Sequence, residues 1–183
     1  MTRDEALAIV KEYTKNDRLI KHMLAVEAAM RAFARRYGED EEKWGICGLL
    51  HDFDYEKMGE EHPSEWGFQL LEERGVDSDI IQAIRGHALR DDPSSRPTKM
   101  AKALFAVDEL TGFIVAVALV RPNQISDLKV KSVKKRFKDK SFAKGVNRDD
   151  IFNGAKELGV ELDDLIQTTI DAMKEIKSSL DLK

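Results

Sequence analysis

Four histidines and two aspartates are the residues of this chain best suited to chemistry. His51 and Asp52 are adjacent at the end of an apolar run from Trp44 to Leu50. His22 falls on the apolar face of an earlier helical stretch, and Asp108 lies among Phe105, Ala106, Val107 and Leu110. A carboxylate in such apolar surroundings is costly unless it is paired or bound to a cation. Brought together, His22, His51, Asp52 and Asp108 supply two neutral imidazoles and two carboxylates. That donor set suits Fe, Mn, Co, Ni or Zn and leaves coordination positions open to water and substrate. Each piece alone has an ordinary reading: a hydrogen-bonded core histidine, a common dipeptide, a capping or arginine-paired aspartate. The combination is more specific, because the pieces fall on successive helical segments. The other histidines, His62 and His87, also lie in the first half of the chain.

The elements that must position these residues show helical periodicity throughout. A first helix covers about residues 3–13, with Ala6, Ile9, Val10 and Tyr13 on one stripe. Asn16 or Asp17 opens a longer helix to about Tyr37, stopped by Gly38, in which Leu19, His22, Met23, Val26, Met30 and Phe33 share a face. A third spans about Glu41 to Asp52, with Trp44, Cys47, Gly48 and His51 at i, i+3, i+4 and i+7. A loop covers 53–63, and Ser64 caps a fourth helix ended by Arg74-Gly75. Asp77 or Ser78 caps a fifth that carries His87 near its end. After a loop through Asp91–Pro97, Thr98 caps a long apolar helix to Val120, and a final amphipathic helix runs from about Asp163 to Leu180. No segment alternates as a strand does, so the expected fold is all-α.

Composition narrows the class. The chain has 183 residues, 42% hydrophobic and 35% charged, enough apolar material for one sizeable core under a highly charged surface. One cysteine, Cys47, excludes an internal disulfide and a Cys-rich zinc site. The N-terminus mixes charges without an apolar signal core, and the run Phe113–Val120 is too short to cross a bilayer. A soluble, cytoplasmic protein without membrane partners is expected. The net charge of −4 conceals a sharp local change: residues 129–148 hold nine basic residues and one acid, Asp139, a balance of +8.

The pattern His22…His51-Asp52…Asp108 resembles that of the HD-domain metal-dependent phosphohydrolase superfamily. The resemblance covers about residues 17–120 and is carried by His22-Met23-Leu24-Ala25-Val26-Glu27, Leu49-Leu50-His51-Asp52 and Ala106-Val107-Asp108. It implies an HD-type helical domain over about residues 1–125. The remaining residues, 126–183, lie outside the resemblance and are expected to form a basic segment and a C-terminal helical extension packed on the same domain. It also implies a metal held by His22, His51, Asp52 and Asp108, with His51 and Asp52 indispensable to catalysis. In members with an extended H…HD…H…H…D pattern, the positions matching His62 and His87 bind a second ion with the HD aspartate as bridge. The layout is similar to that of HD-type diadenosine tetraphosphate hydrolases and, more loosely, of HD-GYP cyclic-di-GMP phosphodiesterases. Two divalent ions, Fe or Mn before Mg, Co, Ni or Zn, are therefore expected. The alternative gives His62 and His87 to substrate phosphate beside a single ion.

Many relatives read HDIG followed closely by a lysine. Here the sequence is His51-Asp52-Phe53-Asp54-Tyr55-Glu56-Lys57, so the glycine is absent and the lysine displaced. Asp54 and Glu56 could support histidine ligands or merely solvate a loop. The implied reaction is hydrolysis of a nucleotide or other small phosphate ester or anhydride by metal-activated water. Two other readings use the same ligand set: a mixed-valent di-iron oxygenase, and a non-catalytic module that senses a ligand. Lys134, Lys135, Lys140 and Arg148, with Ser132 and help from Lys99, Lys102 or Arg121, are suited to phosphate oxygens. Only Phe137 and Phe142 interleave these cations, too few for nucleic-acid stacking, so the expected partner is a small phosphorylated substrate. Exposed apolar faces on Phe113–Val120 would permit a homodimer.

Overall fold

A computed structural model describes residues 1–183. It is helical throughout and contains no strand. Thr2 opens α1 (Arg3–Tyr13) with a capping box: its hydroxyl accepts from the Glu5 N–H and its own N–H donates to the Glu5 carboxylate. Asn16 caps α2 (Asp17–Tyr37), which Gly38 closes in the left-handed conformation. Asp40 caps α3 (Glu41–Leu50), whose residues from Trp44 onward are all buried. A single turn, α4 (Tyr55–Met58), interrupts the expected loop. Ser64 caps α5 (Glu65–Glu73) and Asp77 caps α6 (Ser78–His87). Thr98 then caps α7 (Lys99–Leu119).

α7 is the hub. It packs against α2, α3 and α6 on one side and against the C-terminal helices on the other. One buried apolar cluster runs from Ala6 to Leu182. Glycine sets the tightest approaches. A Cβ on Gly48 would meet the Glu27 N and Val26 O atoms at 2.9 Å, so α3 lies directly against the α2 backbone. That contact brings His51, one turn on, beside His22.

The C-terminal third departs from expectation. Two helices occupy what the sequence reading treated as a basic segment and its sequel: α8 (Val130–Phe137) and α9 (Arg148–Leu158). The second has ordinary signals, an Asn147 cap and a left-handed Gly159 stop, which the charge run overshadowed. The last helix, α10 (Leu162–Glu175), stops short of the expected Leu180. The chain then turns so that Leu180 and Leu182 are buried. The expected exposed face on Phe113–Val120 is also corrected. Phe113, Ile114, Val117 and Ala118 are buried where α7 meets the C-terminal helices, and only Leu119 and Val120 stand exposed.

Arg96 ties the two parts together. It is fully buried, and its Nε and Nη2 donate to Glu157 of α9 at 2.8 and 2.9 Å. Its Nη1 donates to the carbonyls of Gly86 and Leu89 at 2.8 and 2.7 Å, on either side of His87. The guanidinium lies 4.0 Å from the Phe105 ring centroid.

α9 crosses α7 at Gly154, where a Cβ would stand 2.5 Å from the Ala106 Cα. Gly154→Ala should therefore destabilise the protein by about 1–3 kcal/mol, as overpacking does. Gly112, a helical glycine with open space around its Cβ position, should gain up to about 1 kcal/mol on change to alanine. Urea denaturation of both variants checks the contrast.

Candidate metal centre

The six expected ligands converge. The Nε2 of His22, on α2, lies 3.0 Å from Asp108 Oδ1 on α7 and 3.2 Å from His51 Nε2. His51 Nε2 is 3.4 Å from both Asp108 Oδ1 and Asp52 Oδ1. On the far side of Asp52, its Oδ1 is 2.9 Å from His62 Nε2 and 3.7 Å from His87 Nε2, while its Oδ2 is 3.5 Å from His22. His62 and His87 approach each other at 3.4 Å. Two ligand triads result, His22–His51–Asp108 and Asp52–His62–His87, with the Asp52 carboxylate between them.

All four rings point Nε2 inward because each Nδ1 is occupied elsewhere. The last carbonyls of a helix lack partners in their own ladder. His51, just past the end of α3, uses one: its Nδ1–H donates to the Gly48 carbonyl at 2.8 Å. His87, the last residue of α6, donates to the Ile84 carbonyl at 2.5 Å in the same way. His62 follows a 3₁₀ turn, and its Nδ1–H donates to Asp54 Oδ1 at 2.5 Å. The second Asp54 oxygen accepts from the Ser64 N–H and hydroxyl, so the cap of α5 holds the carboxylate still. The His22 Nδ1–H faces Thr111 Oγ1 at 3.4 Å, and that hydroxyl donates to the Asp108 carbonyl at 2.8 Å. Acceptors of this kind fix the tautomer and raise the basicity of ligand histidines.

The electrostatics select a cation. Burial opposes charge on His51, yet Asp52 and Asp108 outweigh it and raise the imidazole well above its usual value. His62, likewise opposed by burial, is raised to about 9 by Asp52 and Asp54. Burial opposes ionisation of Asp52 and Asp108, but the facing imidazoles hold both carboxyls well below the usual range. No lysine or arginine touches either carboxylate; their ionic partners are the four histidines alone. Two carboxylates in a field that retains protons on imidazole, with four Nε2 atoms converging, fit divalent cations.

The centre opens into a cleft of about 610 Å³ lined by His22, Asp52, His62, His87 and Asp108. The cleft also contains residues that the sequence reading missed. Arg90, three residues past His87, is its only lysine or arginine, with Nε 2.9 Å from Asp150 Oδ2 and Nη2 3.4 Å from Glu109 Oε1. Burial, then the neighbouring Asp108, pushes the Glu109 carboxyl up to about 7, and burial also raises Asp150. Nothing in residue type alone distinguished these acids from the many on the surface.

The basic residues expected to meet phosphate are not brought to this cleft. Lys134 Nζ pairs with Asp163 at 2.6 Å, and Lys135 lines a different cavity. Lys140 is exposed outside it. The Arg148 Nη2 donates to the carbonyls of Asp139, at 3.0 Å, and Phe142, holding the loop beneath α9. From the basic segment only Gly145 reaches the cleft wall. Of the two acids after the HD pair, Asp54 supports His62, whereas Glu56 accepts from the backbone of Lys15 and Asn16. Lys57 stacks over Trp66 at 3.4 Å. Cys47 is buried, and burial raises its thiol far above the usual value.

The model of the HD domain matches residues 19–112, just over half the chain, with all six converging residues inside it. The chain belongs to the HD domain family, whose members are mostly metal-dependent hydrolases. No curated protein and no solved structure matches it. No helix is long and apolar enough to cross a membrane.

Since Asp54 orients His62 without lining the cleft, Asp54→Ala should weaken metal binding by about 10–100-fold at the His62–His87 end. Binding at the His22–His51–Asp108 end should persist. Competition titration with a chromogenic chelator reads the two affinities, and equal loss at both ends would contradict the arrangement.

Proposed function

We propose that this chain is a metal-dependent phosphohydrolase that holds two divalent ions, Fe or Mn foremost, and acts on a small phosphorylated molecule of the nucleotide class. The observation that carries the reading is the Asp52 carboxylate, which completes the triad of His62 and His87 and also reaches His22 of the other. His22, His51 and Asp108 would hold one ion, His62 and His87 the other, with Asp52 shared. Bound there, such ions supply Lewis acidity toward phosphoryl oxygens and lower the pKa of water.

The chain's own residues do the rest. The Nδ1 acceptors keep all four rings aimed, so the site is organised before substrate arrives. Arg90 is half exposed at the cleft and supplies the guanidinium that neutralises a phosphate oxygen. Its partners Glu109 and Asp150 hold it in place. Tyr55 is 46% exposed on the same wall, an aromatic surface against which a base can lie. Apart from Arg90 and the histidines, every ionisable carboxyl or amine on the cleft wall is an acid (Asp52, Glu60, Asp108, Glu109 and Asp150), which favours a substrate that meets its positive charge at the metal centre rather than at a basic surface.

Protein purified without chelator should carry two equivalents of metal, falling to one in His62→Ala. His51→Ala and Asp52→Ala should abolish turnover in a screen of nucleotides, dinucleoside polyphosphates and a generic phosphodiester. Near-wild-type turnover in either variant would remove the site assignment. Oxygen-dependent product without phosphate release would replace hydrolysis by oxygenase chemistry, and metal without any turnover would leave a sensing module. Arg90→Gln should raise KM about tenfold with little change in kcat, the loss of roughly 1.4 kcal/mol of substrate binding.

A further inference from the structure

The +8 segment has no part in the metal cleft, yet it is not spent on neutralising the surface. Lys129, Lys131, Lys135, Lys138, Lys140 and Lys144 have no ionic partner, whereas Lys134 pairs with Asp163 and Arg136 with Asp139 at 3.6 Å. Part of this charge converges on a cavity. Where α8 meets the C-terminal end of α7, a pocket of about 330 Å³ is lined by Val117, Val120, Arg121, Ser132, Lys135 and Arg136.

The chemistry of that lining is one-sided. Three cations and a hydroxyl face two valines, and none of the six residues is acidic. Arg121 is pre-positioned: its Nη1 donates to Ser132 Oγ at 3.3 Å and its Nη2 to Asp127 Oδ1 at 2.8 Å. Its Nε is buried and has no acceptor, an N–H that the protein leaves unsatisfied. Lys135 reaches the same space unpaired. Val120, 56% exposed, gives the mouth an apolar lip continued by Leu119, 58% exposed. Cations gathered around a concavity with an apolar wall match an anionic group attached to an apolar or aromatic body.

We propose that this pocket is a second ligand site, for a soluble small molecule bearing a phosphate or diphosphate group, separate from the metal cleft. Val117 and Val120 lie nine and twelve residues beyond Asp108, about 14–18 Å further along the chain at helical rise. The two linings share no residue. The sites are linked by α7 itself, a single rigid element carrying Asp108 at its middle and leading to Arg121 just past its C-terminal end. Occupancy here is therefore positioned to bias the metal centre without competing for it.

The full-length protein, kept in EDTA so that the metal cleft cannot capture phosphate, is titrated with pyrophosphate and with AMP, followed by amide chemical shifts. Saturable binding with shifts confined to Val117–Lys138 is expected, tighter for AMP if the valine lip takes the base. Lys135→Gln, at an exposed unpaired position, should weaken binding about fivefold and Arg121→Gln at least as much. Lys134→Gln, whose lysine faces Asp163 outside the pocket, should leave it unchanged. Equal weakening by Lys134→Gln and Lys135→Gln would reveal only a diffuse charge atmosphere and overturn the proposal. Shifts centred on His22 to Asp108, no saturation at millimolar ligand, or binding seen only with RNA or anionic vesicles would overturn it as well.

Discussion

Everything in the metal centre depends on where four protons sit. An imidazole offers a metal one nitrogen only if the other is committed, and in this chain each Nδ1–H has an acceptor close at hand. Two of the acceptors are carbonyls that a helix end leaves over, so α3 and α6 stop where their histidines need them to stop. Helix termination, elsewhere an energetic defect, here does the aiming. The other two acceptors, Asp54 and Thr111, are themselves held, by the α5 cap and by the Asp108 carbonyl. The inner cluster is thus fixed by backbone geometry on three helices and one capped loop.

The second constraint is charge. Asp52 and Asp108 are enclosed without a lysine or arginine partner, an arrangement that is costly unless a cation arrives. Around them the fold adds Glu109 and Asp150, and only Arg90 answers. Positive charge has been placed elsewhere, at and beyond the C-terminal end of α7. Acidic cleft and basic end are therefore physically segregated along one helix, and the net charge of the chain describes neither.

Much of this was legible in the residues. The apolar stripes of α2, α3 and α7 and the caps Asn16, Ser64 and Thr98 follow from periodicity, and the grouping of His22, His51, Asp52 and Asp108 from the resemblance together with the cost of a carboxylate in an apolar run. The rest was not, for identifiable reasons. Lys134, Lys135, Lys140 and Arg148 looked suited to phosphate because composition records charge without direction; α8 carries Lys134 and Lys135 away from the cleft, Lys140 is exposed in the loop beyond it, and Arg148 is consumed by loop carbonyls. α9 went unread although Asn147 and Gly159 frame it, because basic residues masked a short apolar stripe. Arg90 and Arg96 lay just before and within the expected loop, where nothing local separates an exposed cation from a buried one. Only their distant partners, Asp150 and Glu157, decide that.

The Arg96–Glu157 pair also bears on modularity. The cation is inside the region that defines the family, and its counter-charge is supplied from α9, outside that region. Arg96 in turn grips the carbonyls that flank His87. A fragment ending where the family pattern ends would keep every ligand and still strand a guanidinium in the interior next to one of them. The recognisable motif and the autonomous unit of folding are different lengths of chain, and recombination at the motif's edge would inherit an incomplete machine.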